Sequence, residues 1–302
     1  MTHRTQALPW IALVAVYFLW GSTYLGIRVA VATIPPYLMT GFRYLVAGML
    51  LLGLQWLFSK EKPAWPNRSA LLRIGVVGVL LLAVGNGSLC LAETRVESGT
   101  AALLIASSPI FMVLVDAIRS RKAPGALAIT GIVIGSVGIA FLVGKSSLHA
   151  DLFMAALILF SSFVWAATSV YARDTPHHAL TAPLEMTIGG AFSILAGLAL
   201  GETSRLHVAA ITPESLWGML WLVFGGAMIG YSAFAYVVRT LPTTTVATYG
   251  YVNPVVAVIL GALVLGEPVT WRILAGGAAV VASVALILLG SRRTAEEAVA
   301  SG

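Results

Sequence analysis

Phe18-Leu19-Trp20-Gly21-Ser22-Thr23 returns 145 residues later as Phe163-Val164-Trp165-Ala166-Ala167-Thr168. The same shift, without a gap, brings Arg28 onto Arg173, Gly85 onto Gly230, Pro109 onto Pro254 and Gly131 onto Gly276. Matches among Leu, Ala, Val and Gly carry little weight in an apolar chain. Matches of Trp, Pro and Arg carry more, and the chain reads as two copies of one unit.

Ten apolar runs surround these matches, at 10–28, 36–58, 71–91, 99–118, 125–143, 150–171, 183–200, 216–238, 243–265 and 271–290. Their length fits the hydrocarbon thickness of a bilayer, about 20 helical residues. They lack two-residue alternation and are about twice the length of a barrel strand. The expected fold is an all-α membrane protein of ten transmembrane helices. Each unit holds five helices, an odd number, so the second copy is expected to enter the membrane inverted relative to the first. The expected boundaries are 8–145 for the first repeat, 150–290 for the second, and 291–302 for a short cytoplasmic tail.

Composition excludes a soluble enzyme. Hydrophobic residues make up 59% and charged residues 10%, and mean hydropathy is +0.92. A soluble domain carries roughly a quarter charged residues. The net charge of +6 and pI near 9.7 do not point to nucleic acid, because Lys and Arg sit in short connections between apolar runs. That placement is a topology signal. With the amino terminus inside, the inner segments hold Arg4, Lys60, Lys62, Arg68, Arg73, Arg119, Arg121, Lys122, Arg173, Arg239, Arg292 and Arg293. The outer segments hold Arg28, Arg95, Lys145, Arg205 and Arg272. Both termini are therefore expected in the cytoplasm. The first run has no small-residue cleavage site at its end and reads as a retained helix. Cys90 is the single cysteine, so no intrachain disulfide forms. His3, His149, His177, His178 and His207 all fall in the tail or loops. No metal, no cofactor and no catalytic residue is expected.

Trp20 and Trp165 fall near the middle of the first and sixth runs, and Pro109 and Pro254 near the middle of the fourth and ninth. Each proline removes a backbone N–H and disturbs a carbonyl one turn earlier. In lipid that carbonyl needs a partner in protein or in a wet cavity. Ser107 and Ser108 precede Pro109, and Asn253 precedes Pro254; each side chain either satisfies the freed groups or meets a solute. Tyr17, Trp20, Thr23 and Tyr24 share one face of the first run. Trp165 and Ser169 continue the theme on the sixth, as an aromatic wall for an apolar or cationic solute or as bulky core. Asn86, Tyr249 and Tyr251 are further cavity candidates. Arg43 is the one basic residue deep inside a run rather than at its end; it either snorkels outward or contacts carbonyls or an anionic part of the solute. Asp116, Glu185 and Glu267 lie near run ends and read as interface residues, so no coupling carboxylate is evident. Gly131, Gly135 and Gly138 match Ala275, Gly276, Ala279 and Ser283 as small-residue faces for close helix contact, within one chain or in a homodimer.

Several stretches resemble the EamA-type drug/metabolite transporters, in their YedA-like branch. They are Leu19-Trp20-Gly21-Ser22-Thr23-Tyr24, Gly41-Phe42-Arg43-Tyr44, Leu81-Leu82-Ala83-Val84-Gly85-Asn86-Gly87, Tyr249-Gly250-Tyr251-Val252-Asn253-Pro254-Val255-Val256-Ala257-Val258 and Leu265-Gly266-Glu267. The resemblance implies two inverted halves in a bacterial inner membrane, a central cavity and export of small organic molecules. First halves of that family often carry a Gly-Glu pair after the fourth span, where this chain has Arg119-Ser120-Arg121-Lys122.

The expected function is a secondary transporter exporting small metabolites or drugs, amino-acid-like or amphipathic, by alternating access. Its partners are a small-molecule solute and the lipid bilayer. An intramembrane protease lacks a membrane His or a paired Asp. The alternatives are a solute channel, for which no repeated filter segment is present, and a non-transporting scaffold or sensor that kept the fold.

Overall fold

A computed structural model describes residues 3–59, 63–121, 123–143, 152–172, 179–241, 243–246 and 248–300. Of the residues weighed above, Lys60, Lys62, Lys122, Lys145, Arg173, His149, His177 and His178 lie outside the described residues, as do the side chains of His3, Arg4, Arg239, Arg292 and Arg293. Among the described residues helix is the only regular secondary structure. The helices are α1 (His3–Ala30), α2 (Pro36–Phe58), α3 (Arg68–Ala92), α4 (Ser98–Ile105), α5 (Ser108–Ser120), α6 (Ala126–Val143), α7 (Leu152–Ala172), α8 (Thr181–Ala199), α9 (Pro213–Val237), α10 (Thr243–Val246), α11 (Tyr249–Leu265) and α12 (Trp271–Ala300).

Eight segments are long and apolar enough to cross a membrane, with α4 and α5 together forming one of them, Ser98–Ser120. The runs expected at 125–143 and 243–265 are shorter apolar helices. The second is divided into α10 and α11. The last helix continues through the expected tail to Ala300. Large apolar side chains such as Phe58, Ile118 and Leu263, each nearly four-fifths exposed, cover the outer surface. Lipid is the solvent that tolerates such a surface.

Two helices carry π-helical turns, Val79–Asn86 within α3 and Leu222–Ile229 within α9. A π turn shifts the hydrogen-bond ladder by one residue and frees carbonyls for outside partners. The fourth expected run breaks at Ala106-Ser107, and Pro109 starts the next helix in its first turn, where its missing N–H costs nothing.

Helices from the two halves of the sequence interleave. The main partner of α2 is α8, and that of α6 is α12. Small residues make both seams tight: a Cβ on Gly48 would stand 2.6 Å from the Thr187 nitrogen, and one on Gly138 2.9 Å from the Gly276 oxygen. Gly131 likewise faces Ser283 and Ile287 of α12, so the small-residue faces of α6 and α12 meet within one chain. Beyond these seams, α3 and α9 pack on the α2–α8 pair and α4 packs on α11, while α1 lies against α9 and α11 and α7 against α3 and α5.

The triplet Leu-Gly-Glu occurs at 200–202 and 265–267, and both copies do the same work. Gly201 (φ 69°) and Gly266 (φ 66°) end α8 and α11 in the left-handed region, which glycine enters without a Cβ penalty. The glutamate that follows is thereby aimed at a helix start in the first half. Glu202 accepts from the Tyr37 and Leu38 amides at 3.2 and 2.9 Å. Glu267 accepts from the Ser98 amide at 2.8 Å, the Ser98 hydroxyl at 2.9 Å and the Gly99 amide at 3.1 Å. Both carboxylates thus serve the orphan N–H groups and positive dipole end of a helix. Glu267, expected as an interface residue, is an inter-half cap.

Candidate functional site

The π turn of α9 is the meeting point. Trp20 donates its indole N–H to the Gly226 carbonyl at 3.2 Å. Its ring packs against Phe234 at 4.7 Å and edge-on to Tyr249 at 5.3 Å, and Phe234 and Tyr249 meet at 5.6 Å. Thr23 donates back to the Trp20 carbonyl at 2.6 Å, which turns its methyl toward Gly226. The Arg43 guanidinium approaches Gly226 from α2 and lies 4.5 Å over the Tyr44 ring. A side chain at 226 would collide with Thr23, so glycine is what lets α1 and α2 converge there.

Asn253 joins this cluster from below. With its amide nitrogen turned toward the two carbonyls it faces, it donates to Tyr249 and Tyr17, each at 3.2 Å. The Tyr17 and Thr248 hydroxyls are hydrogen-bonded to each other. Asn253 therefore ties α11 to α1 through its nitrogen. Pro254 lies six residues into α11, and the interruption of that run falls before Tyr249.

Ser107 and Ser108 form a second polar cluster with Ser162 of α7, at 3.0 and 2.9 Å. Each also donates to the carbonyl three residues back, Leu104 and Ile105, at 2.6 Å. Leu104 also keeps a backbone donor, the Ser107 amide at 3.1 Å, so the serines are engaged with the backbone around the α4–α5 break. Ser161 donates to Gly85 in the π turn of α3 at 2.8 Å, so each half sends a donor to the π turn of the other. Asn86 accepts from the Cys90 thiol at 3.4 Å. Trp165 and Ser169 are half-buried on α7, without a hydrogen bond or ring contact among the described residues. Tyr24 packs against the core cluster of Ile27, Met39 and Leu104, and Tyr251 is half-buried on α11.

Arg43 and Glu93 are the buried ionisable residues left with unpartnered polar atoms among the described residues. Arg43 is 4% exposed, and its Nε and Nη1 lack a hydrogen-bond partner; Glu93 is 0% exposed, and neither carboxylate oxygen has one. Glu93 follows α3, and burial holds its carboxyl well above the usual carboxylate range, with Glu267 adding repulsion and Arg28 and Arg43 opposing. Sequence reasoning singled out Arg43 and passed over Glu93, which lies in the connection after the third apolar run. It also passed over Gly226, Phe234 and Glu202. The repeated Leu-Gly-Glu triplet was the signal for Glu202.

A groove of about 1120 Å³ opens between α1, α9 and α11, lined by Phe18, Ser22, Trp221 and Leu260 with Arg28 and Glu267 at one end. It lies outside the Trp20 cluster. Among the described residues no group of three His, Cys, Asp or Glu side chains is placed to hold a metal.

Apolar spans with broken helices and a buried polar interior define a polytopic helical membrane protein. The chain belongs to the EamA-like transporter family, whose model matches it twice, at residues 8–144 and 152–289. It is 38% identical over 297 residues to the "Uncharacterized inner membrane transporter YedA" of Escherichia coli (strain K12), covering 94% of this chain and 92% of that one. It is 24% identical over 289 residues to the "Probable amino-acid metabolite efflux pump" of Salmonella typhimurium, covering 92% and 93%. A crystal structure sharing 16% identity superposes with a TM-score of 0.62 over 95% of this chain and 99% of that one, a likeness of fold. The protein is a multi-pass membrane transporter of the bacterial inner membrane, and its partners are a small-molecule solute and lipid.

Proposed function

We propose that the protein exports small amino-acid-like or amphipathic metabolites by alternating access, using ten spans arranged as two inverted five-helix repeats with both termini cytoplasmic. The observation that carries this reading is that each half reaches the broken helix of the other. Trp20 of the first half bonds the π turn of α9 in the second, and Ser161 of the second half bonds the π turn of α3 in the first, by residues that the repeat does not pair. Both bonds join the halves at π turns, and broken helices where two halves meet are where carriers hold their cargo. The proposed cavity is lined by Trp20, Thr23, Tyr24, Arg43, Asn86, Trp165, Ser169, Tyr251 and Asn253. Ser107 and Ser108 shape its wall, and the breaks near Pro109 and Pro254 act as hinges.

The packing also suggests which parts move. One body is α2, α3, α8 and α9, and the other is α4, α5, α6, α11 and α12. Each mixes both repeats, and each has one Leu-Gly-Glu cap inside it. In this cycle α1 and α7 run between the bodies.

The test is solute counterflow in proteoliposomes against a metabolite panel, with and without a pH gradient. A saturable exchange of a defined solute class is expected. Transport that fails to saturate points to a channel, and no transport of any solute refutes the reading.

A further inference from the structure

The described acids and bases of the interior divide into those with partners and those without. Glu202 and Glu267 are each bonded to helix amides. Arg28 gives its Nη1 to the backbone carbonyl of Glu93 at 2.5 Å, leaving the Glu93 carboxyl unserved. Arg43 and Glu93 are both buried, each has unpartnered polar atoms, and they form no ion pair with each other. A buried polar group without a partner is costly, so an unserved guanidinium and an unserved carboxyl on neighbouring elements describe a site awaiting a ligand.

We propose that Arg43 and Glu93 form a two-point subsite for a zwitterionic solute, Arg43 taking a carboxylate and Glu93 an ammonium. This rests on the exporter reading and names the solute class for it. Geometry supports the assignment. Arg43 lies seven residues into α2 from its start at Pro36, a depth of about 10 Å at helical rise, and Glu93 immediately follows the last residue of α3. Cys90, one turn before Glu93, is within electrostatic reach of Arg43, so the face of α3 that carries both looks toward α2. The guanidinium keeps unpartnered N–H groups at Nε and Nη1, which point in different directions, and either can donate to a carboxylate oxygen. The aromatic rings nearby, Tyr44 under Arg43 and Tyr24 within electrostatic reach of Glu93, suit an apolar or aromatic side chain on the solute.

A consequence concerns protons. The groups facing Glu93 are Arg28 and Tyr24 from α1, Arg43 from α2, Cys90 on its own helix, and Glu267 after α11; Glu97 in the adjoining turn shares Glu267 and Arg28 as neighbours. Burial favours the protonated form of the empty-site carboxyl. An arriving ammonium turns it into a carboxylate, and the released proton leaves to water. Solute and proton thus compete for one group, which is the requirement for antiport.

The test uses L-phenylalanine, L-phenylalanine amide and N-acetyl-L-phenylalanine as probes of both ends, one end and the other. Binding is read by calorimetry on the purified full chain, with proton release followed in lightly buffered solution. Wild type is expected to bind phenylalanine about tenfold tighter than either derivative, the loss of one charge-assisted hydrogen bond, and to release protons on binding. Glu93→Gln should lose the preference over the N-acetyl form and release no protons; Arg43→Gln should lose the preference over the amide. Proton release by wild type stands as a measurement even if a variant fails to fold. The subsite is overturned if wild type binds a derivative as well as phenylalanine, binds none of the three, or binds without proton release. It is also overturned if both variants keep the wild-type order. Wild type carrying other solutes in counterflow while failing this selectivity removes the subsite and leaves the exporter reading intact.

Discussion

Replacing Trp20 by Phe tests whether the indole N–H, rather than the ring, holds α1 on the broken turn of α9. The Gly226 carbonyl accepts that N–H at 3.2 Å. Leaving a buried carbonyl without a partner costs about 1–3 kcal/mol, and the length of this bond places the loss near the lower end, about 1 kcal/mol. The phenyl ring keeps contact with Phe234 and Tyr249, a pairing worth about 0.5–1.5 kcal/mol beyond burial. Trp20→Ala loses the bond, the pairing and the volume together, about 3–5 kcal/mol for a fully buried ring, less here because Trp20 is half-buried. Unfolding in mixed micelles, followed by helical circular dichroism, should rank wild type above Trp20→Phe and Trp20→Phe well above Trp20→Ala. Solute affinity should fall less in the Phe variant than in the Ala variant. A Phe variant as stable as wild type shows that the hydrogen bond contributes nothing. One as unstable as Ala shows that the ring contacts contribute nothing. Either result refutes the arrangement.

The Leu-Gly-Glu caps predict that Glu202→Gln and Glu267→Gln each lower stability, by about 1–3 kcal/mol for lost charge-assisted bonds. The two losses should add, since the caps share no partner; the double variant in the same denaturation assay checks this. Gly48→Val should prevent compact assembly, because its Cβ meets the backbone of α8, and size-exclusion chromatography should show loss of the monodisperse peak. Glu93 sets a pH slope. Its folded pKa lies above the unfolded one, so the folded state holds the extra proton and stability falls as pH rises between the two values. Glu93→Gln should flatten that slope and be the more stable protein on the alkaline side; equal slopes contradict the assignment.

Much of the helical pattern was legible because each run must satisfy its own backbone in lipid, and that leaves a long apolar stretch in the sequence. Trp20, Thr23 and Arg43 were singled out by the same logic: polar or aromatic residues where lipid-facing ones were expected. What sequence alone did not reveal depends on which carbonyl is free. Ser107 and Ser108 turned out to serve Leu104 and Ile105, and Asn253 serves Tyr17 and Tyr249, because the breaks fell at Ala106-Ser107 and before Tyr249. Nothing in Val79–Asn86 or Leu222–Ile229 announces a π turn, since the extra residue is set by packing against the opposite half. Glu93 escaped notice because sequence places it in the connection after the third apolar run while the tertiary fold buries it completely.

The division into mixed bodies makes a prediction that separates it from rocking of the two sequence repeats. A Cβ at Gly99 on α4 would stand 3.5 Å from the Val258 Cβ on α11, within the Cβ separations of disulfides, about 3.5–4.5 Å. Gly99 belongs to the first repeat and Val258 to the second, yet both lie in one proposed body beside the Glu267 cap. Cys90, the single native cysteine, is buried and free, so the Gly99→Cys/Val258→Cys pair starts from a low background. If the bodies are mixed, oxidation of the pair leaves counterflow at its reduced level. If whole repeats rock against each other, the bridge crosses the moving boundary, and oxidation stops transport until a reductant restores it. That second outcome removes the mixed-body mechanism, because in this structure the bridged helices already share a capped, close-packed contact that only relative motion of the repeats can break.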